Sequence, residues 1–216
     1  MNAGDFSPRD FDGVIDVAEI SAALVKQLRD MTGAGMMECK KALTEAKGNM
    51  EEAVTLLRKA GLAQAAKRAG RATAQGTIGS YIHMGGRIGV LVEVNCESDF
   101  VARTDDFNNL VREVAMHVAA ADPRWTRREE VPADAIEKEK SIYRAQMEGS
   151  GKPAQVMDKI IEGKLGSFYS QFVLLDQPSV RDPNVTISQL VAQASAKTGE
   201  NIQVARFVRF RVGEGE

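Results

Sequence analysis

The sequence is poor in the groups that build covalent or metal sites. It holds two cysteines, Cys39 and Cys96, and two histidines, His83 and His117. Two cysteines make no disulfide framework and no zinc set, and a reduced cytoplasm is the natural compartment for such a chain. No run of about 18 apolar residues occurs, so no membrane-spanning helix is expected. The opening stretch, MNAGDFSPRDFDGVIDVAE, lacks the apolar run of a secretory signal. Its acids Asp5, Asp10, Asp12 and Asp16 argue against a transit peptide, and residues 1–18 read as a flexible leader. A net charge of −2 over 216 residues excludes an overall polyanion-binding surface. That length suits one or two domains with a sizeable core.

What is present is well-patterned helix and strand. Residues 19–61 read as three short helices. Ser21 is placed to cap the first, with Ile20 and Val25 as a hydrophobic staple. Leu24, Leu28 and Met31 follow at helical spacing, and Gly33 and Gly35 break that helix. The second carries Met36, Cys39, Leu43 and Ala46 and ends at Gly48. Asn49 caps the third, with Glu52 at the capping-box position and Gly61 as its end. Met31, Met36, Met37 and Met50 read mostly as core. The adjacency of Met36 and Met37 leaves one of them for a soft, adaptable contact surface. Residues 62–76, LAQAAKRAGRATAQG, read as a helical linker.

From Thr77 the period changes to two. Ile78, Ser80, Ile82 and Met84 alternate with Thr77, Gly79, Tyr81 and His83, and Gly85-Gly86 is a two-residue hairpin signal. The return strand places Ile88, Val90, Val92, Val94 and Cys96 on one face. Thr104 caps a helix to about Ala121, with Phe107, Leu110, Val111, Val114 and Val118 as its apolar stripe. Helices near 132–148 and 153–175 follow, and Gly149-Ser150-Gly151 between them predicts an antiparallel pair. Thr186 with Gln189 opens another helix to Gly199, and NIQVARFVRFRV alternates as a third strand. The fold class is therefore α+β. A three-helix bundle precedes an αβ core over 77–216, with a three-stranded antiparallel sheet and a helical hairpin at about 132–175.

Patterns that hint at chemistry fail on their context. Gly149-Ser150-Gly151-Lys152 resembles a phosphate loop, but Gln146 and Pro153 stand where a glycine and a Ser or Thr belong. Gly33-Ala34-Gly35 follows a helix rather than a strand. Cys96 faces inward, away from a ligand set with Glu97 and Asp99. Cys39 with His83 or His117 lacks an orienting third group. No catalytic residue, cofactor or metal is therefore assigned. Lys67, Arg68 and Arg71 form a small basic cluster without interleaved aromatics, which reads as a solvated face. An RNA-binding αβ protein with a helical interaction module stays as the alternative. The stretch VNCESDFVARTDDF, 94–107, poses the sharper question. It contains two Asp-Phe steps. Phe107 belongs to a helical stripe, whereas Phe100 either tucks under the sheet or stands free as a binding anchor.

TGAGMMECKKAL (32–43), the GNMEEA step from Gly48, AAKRAGRATAQG (65–76), VNCESDFVAR (94–103), LLDQPSVRD (174–182) and GENIQVARFVRFRVGEG (199–215) together resemble the bacterial elongation factor Ts family. The likeness covers nearly the whole chain from about residue 19. It implies a ubiquitin-associated-like fold for the bundle. It also implies guanine-nucleotide exchange on elongation factor Tu, bound both with GDP and without nucleotide. The family's wedge, which disturbs the Mg²⁺ site of that GTPase, corresponds to Ser98, Asp99, Phe100 and Val101; its docking motif corresponds to Leu28, Met36, Met37, Lys40 and Lys41. Ser98 stands where the family commonly has Thr, which keeps the hydroxyl. Longer members carry a duplicated core half, and this chain carries one, so an open sheet edge and a homodimer are expected.

Overall fold

The computed structural model of the protein describes residues 20–147 and 153–214. The expected leader and the Gly149–Lys152 fragment lie outside the described residues. The chain divides into two compact units between Lys59 and Ala60.

The first unit holds α1 (Ala22–Thr32), α2 (Met36–Glu45) and the beginning of α3 (Met50–Arg68). Ser21 caps α1 by accepting from the Leu24 N–H at 3.2 Å, and Asn49 does the same for Glu52 at 3.1 Å. Gly33 closes α1 in the left-handed region at φ 68. Val25, Leu28, Cys39, Ala42, Leu43, Ala46 and Ala53 fill the core. The methionines depart from expectation. Met31, Met36 and Met37 are 63%, 48% and 78% exposed. Only Met50 packs against the core. A bundle of this size has room for its Leu, Val and Ala contacts, and the long thioethers remain outside.

The end of the third helix also differs from expectation. α3 does not end at Gly61 but runs through it to Arg68. One glycine costs a helix about 1 kcal/mol relative to alanine, and the alanine-rich stretch beyond it offsets that. The missing Cβ is used: one built on Gly61 would lie 3.1 Å from Ala196 Cβ.

The second unit is a sheet covered on one face. β1 (Gln75–Ile82), β2 (Ile88–Cys96) and β3 (Gln203–Arg211) pair antiparallel in the order β1-β2-β3. The hairpin is wider than two residues. His83 donates to the Ile88 carbonyl at 2.9 Å, so residues 84–87 form the loop. Gly85 takes φ 87 at the third position of a turn closed by the Gly86 N–H on the His83 carbonyl.

Val90, Val92, Val94 and Cys96 face inward onto α5 (Asp105–Ala121), whose Phe107, Leu110, Val111, Val114 and Val118 are buried. A Cβ on Gly79 would fall 2.2 Å from Val111 Cγ1, so α5 rests directly on β1. α8 (Ile187–Thr198) closes the same core through Ile187 and Val191. Its Thr186–Gln189 capping box is formed as read from the sequence. α6 (Ala133–Met147) and α7 (Ala154–Phe172) pack as an antiparallel pair: Met147 shares a cluster with Ile161 and Leu165, while Ile136 and Tyr169 pack on the cluster of Val131, Phe168 and Val173.

The covered face buries His117 completely. Its Nε2 lies 2.8 Å from Gln177 Oε1, and its Nδ1 accepts the Val180 N–H at 3.3 Å. Both nitrogens are thus committed to the neutral ring. Burial lowers its pKa, opposed by the Gln177 hydrogen bond and by Glu113, which itself pairs with Arg181 at 3.6 Å. A depressed folded-state value means stability present above the ordinary range near 6.5 and lost as pH falls through the folded value. Urea unfolding is expected to show lower stability at about pH 5 than at pH 7.5, with a smaller difference in His117→Gln. Equal pH slopes for wild type and variant would refute this assignment.

Candidate functional site

Where β2 ends, the backbone enters a one-turn helix, α4 (Asp99–Ala102). Ser98 is its N-cap, in extended conformation at φ −125 and ψ 156, and its Oγ accepts from the Val101 N–H at 3.3 Å. Val101 is buried in the core beside Phe107 and Ala102. With Val101 pulled inward, Phe100 on the opposite side of the turn points out. Its ring is 78% exposed, against 0% for Phe107. The two Asp-Phe steps therefore do different things, and Phe100 does not tuck under the sheet. Asp99 pairs with Arg103 at 2.7 Å, one helical turn on, with both side chains largely exposed. Such a pair contributes little to stability.

The turn is braced from across the sheet. Glu200 Oε1 accepts from Ser98 Oγ at 2.5 Å. Glu200 Oε2 accepts from the backbone N–H of Ser98 at 3.0 Å and of Glu97 at 3.1 Å. In return Glu97 Oε1 accepts from the Asn201 N–H at 2.6 Å and pairs with Arg71 at 3.4 Å. Asn201 Nδ2 donates to the carbonyls of Ala69 and Arg71 at 3.3 and 2.8 Å. Sequence reading missed Glu200 and Asn201. The signal was available only through register: Asn95 pairs with Gln203, and continuing that pairing three residues sets Ser98 opposite Glu200.

Cys96 is fully buried, its thiol donates to the Ser98 carbonyl at 3.1 Å, and burial with the Glu200 carboxylate raises its pKa. It is held as a thiol, not as a nucleophile or ligand. Cys39 is equally buried and donates to the Ala34 carbonyl at 3.7 Å. Among the described residues, no three His, Cys, Asp or Glu side chains are grouped to hold a metal. No described helix is long and apolar enough to cross a membrane. Of the basic cluster, Arg68 bonds the Ser195 carbonyl and Gln64, and Arg71 is tied to Glu97, which leaves Lys67 facing solvent.

The other sequence-assigned set lies wholly in the first unit. Met36, Met37, Lys40 and Lys41 are exposed on α2, while Leu28 is fully buried in α1. Leu28 therefore supports the surface rather than forming it. The exposed Met31 extends the patch from the end of α1.

A free aromatic on a braced turn and a methionine–lysine patch on a small helical bundle define an α+β protein that presents contact surface. A model of the family described as Elongation factor TS matches residues 14–214. Elongation factor Ts of Fervidobacterium nodosum is 64% identical over 196 residues, which span 91% of this chain and 100% of that protein. Elongation factor Ts of Solibacter usitatus is 60% identical over 200 residues, 93% of this chain and 94% of that one. Elongation factor Ts of Heliobacterium modesticaldum is 57% identical over 196 residues, covering 91% of each chain. The chain belongs to the elongation factor Ts family.

Proposed function

We propose that this chain is a cytoplasmic guanine-nucleotide exchange factor for elongation factor Tu in translation elongation. It binds the GDP-bound GTPase, disturbs its Mg²⁺ site and promotes GDP release, so that GTP can rebind. The observation that carries this reading is the Phe100 ring, 78% exposed on a turn braced by Glu200. The wedge is Ser98, Asp99, Phe100 and Val101, with Phe100 as the contacting group and Val101 as its buried anchor. The docking surface is Met36, Met37, Lys40 and Lys41, with Leu28 beneath them.

The mechanism needs no bond chemistry in this protein. Mg²⁺ neutralises charge between nucleotide phosphates and a GTPase, so displacing it weakens GDP binding. The factor binds the nucleotide-free GTPase more tightly than the loaded one, and linkage makes nucleotide weaken factor binding by the same free energy. A coupling of about 4 kcal/mol corresponds to roughly a thousandfold in GDP affinity. GTP then rebinds and expels the factor. The test follows release of a fluorescent GDP from elongation factor Tu as this protein is added. Acceleration is expected, and release at the unassisted rate would defeat the reading.

The partner set includes a second copy of this chain. β1 and β3 are the outer strands of the sheet. The face turned away from α5, uncovered among the described residues, places Ile82, Gly89 and Phe210 in one row, Ser80, Leu91 and Val208 in the next, then Ile78, Glu93 and Arg206. Ile78, Ile82, Leu91, Val208 and Phe210 are exposed. The Glu93–Arg206 pair at 2.7 Å borders this apolar face. A two-fold axis through the face sets apolar rows on one another and leaves the ion pairs at the rim. Sedimentation of the wild type at micromolar concentration is expected to show a dimer, and Phe210→Glu a monomer. A monomeric wild type would eliminate this part.

A further inference from the structure

Glu200 stands at the start of β3's approach to the sheet, and its backbone is fixed before its side chain acts. Gly199 ends α8 at φ 78, the Glu200 N–H lies 3.5 Å from Thr198 Oγ1, and its carbonyl accepts from the Ser195 hydroxyl. Its carboxylate then receives three donors from the ring-bearing turn: Ser98 Oγ, Ser98 N–H and Glu97 N–H.

We propose, resting on the exchange reading above, that Glu200 is a positioning residue that fixes the direction in which Phe100 is presented. α4 has four residues, and one helical turn does not hold itself. Burial of Val101 anchors its far side, Thr104 and Asn108 hold the Val101 and Ala102 carbonyls at its C-terminal end, and the N-cap fixes where the turn begins. There the Ser98 hydroxyl accepts from the Val101 N–H, and an acceptor for its own proton holds the oxygen in that one rotamer. Glu200 Oε1 is that acceptor. Bonds to a carboxylate are the stronger kind. Removing Glu200 leaves two N–H groups unaccepted and frees the hydroxyl to rotate. β2 and α5 keep their own hydrogen bonds and packing. The ring then spreads over more orientations, and loss of orientation appears as loss of rate.

The test is a cycle of Glu200→Ala, Glu200→Gln and Phe100→Ala, read in two ways. In stimulated GDP release, Glu200→Ala is expected to lower the maximal rate about tenfold while the half-saturating factor concentration stays within about twofold. Glu200→Gln keeps one acceptor oxygen and should fall between. In the Phe100→Ala background, Glu200→Ala should cost nothing further, because it acts through the ring. The second measurement is amide hydrogen exchange of the protein alone. Glu97, Ser98 and Val101 should exchange faster in Glu200→Ala, while Val92 and Val114 keep their protection. Equal rate losses in both Phe100 backgrounds would overturn the proposal. So would protection at the turn unchanged relative to Val92. Should the wild type fail to accelerate release, the exchange reading falls by itself, and the amide measurement still decides whether Glu200 orients the ring.

Discussion

Phe100→Ala is expected to slow stimulated GDP release by about thirtyfold or more, the effect of losing a contact anchor of at least 2 kcal/mol. The same substitution should leave unfolding within about 0.5 kcal/mol of wild type. The ring is 78% exposed, so the folded protein gains little from it. Its neighbour Val101 holds the turn in the core, and the Ser98 cap and the Glu200 carboxylate do not involve the ring. The result is a variant that is folded but strongly slowed, readable by release kinetics and denaturation on one preparation. Release at the wild-type rate would remove Phe100 from the mechanism, whatever else the protein does.

Phe107→Ala is expected to behave in the opposite way. Phe107 projects from α5 and is fully buried in the core cluster that includes Val94, Cys96 and Val101. Truncation removes the ring's transfer free energy and leaves a cavity, for a loss of about 3–5 kcal/mol. That is a large share of the stability of an ordinary domain. At temperatures where the variant stays folded, stimulated release should fall less than in Phe100→Ala, because Phe100, the proposed contact, is retained. Urea midpoints measure the first effect. A midpoint unchanged by the substitution would show that the core does not depend on this side chain.

The difference between the two phenylalanines was partly legible in the sequence. Phe107 sits in a stripe with Leu110, Val111, Val114 and Val118, and helical period alone assigns it inward. Phe100 has no stripe, and pattern leaves two orientations for it. What resolves them is the burial of Val101, a tertiary fact. Local signals were otherwise strong: the Ser21, Asn49, Thr104 and Thr186 caps all form. Gly61 misled because a glycine ends a helix only when the following residues favour leaving it, and here alanines follow while a neighbouring helix uses the bare Cα. The methionines misled because hydrophobicity does not state how much interior a small bundle has. Glu200 was beyond reach, since its meaning depends on a strand register across 102 positions.

That separation orders events during the protein's own synthesis. A chain leaves the ribosome N-terminus first, so α1, α2, the hairpin and the Phe100 turn all emerge while Glu200 is still to be joined. If Glu200 orients Phe100 as proposed, the partial chain can form its helices, but that ring stays unaimed until β3 arrives and brings the carboxylate with it. On that proposal the aiming of the ring comes late, with the joining of β3 to the sheet.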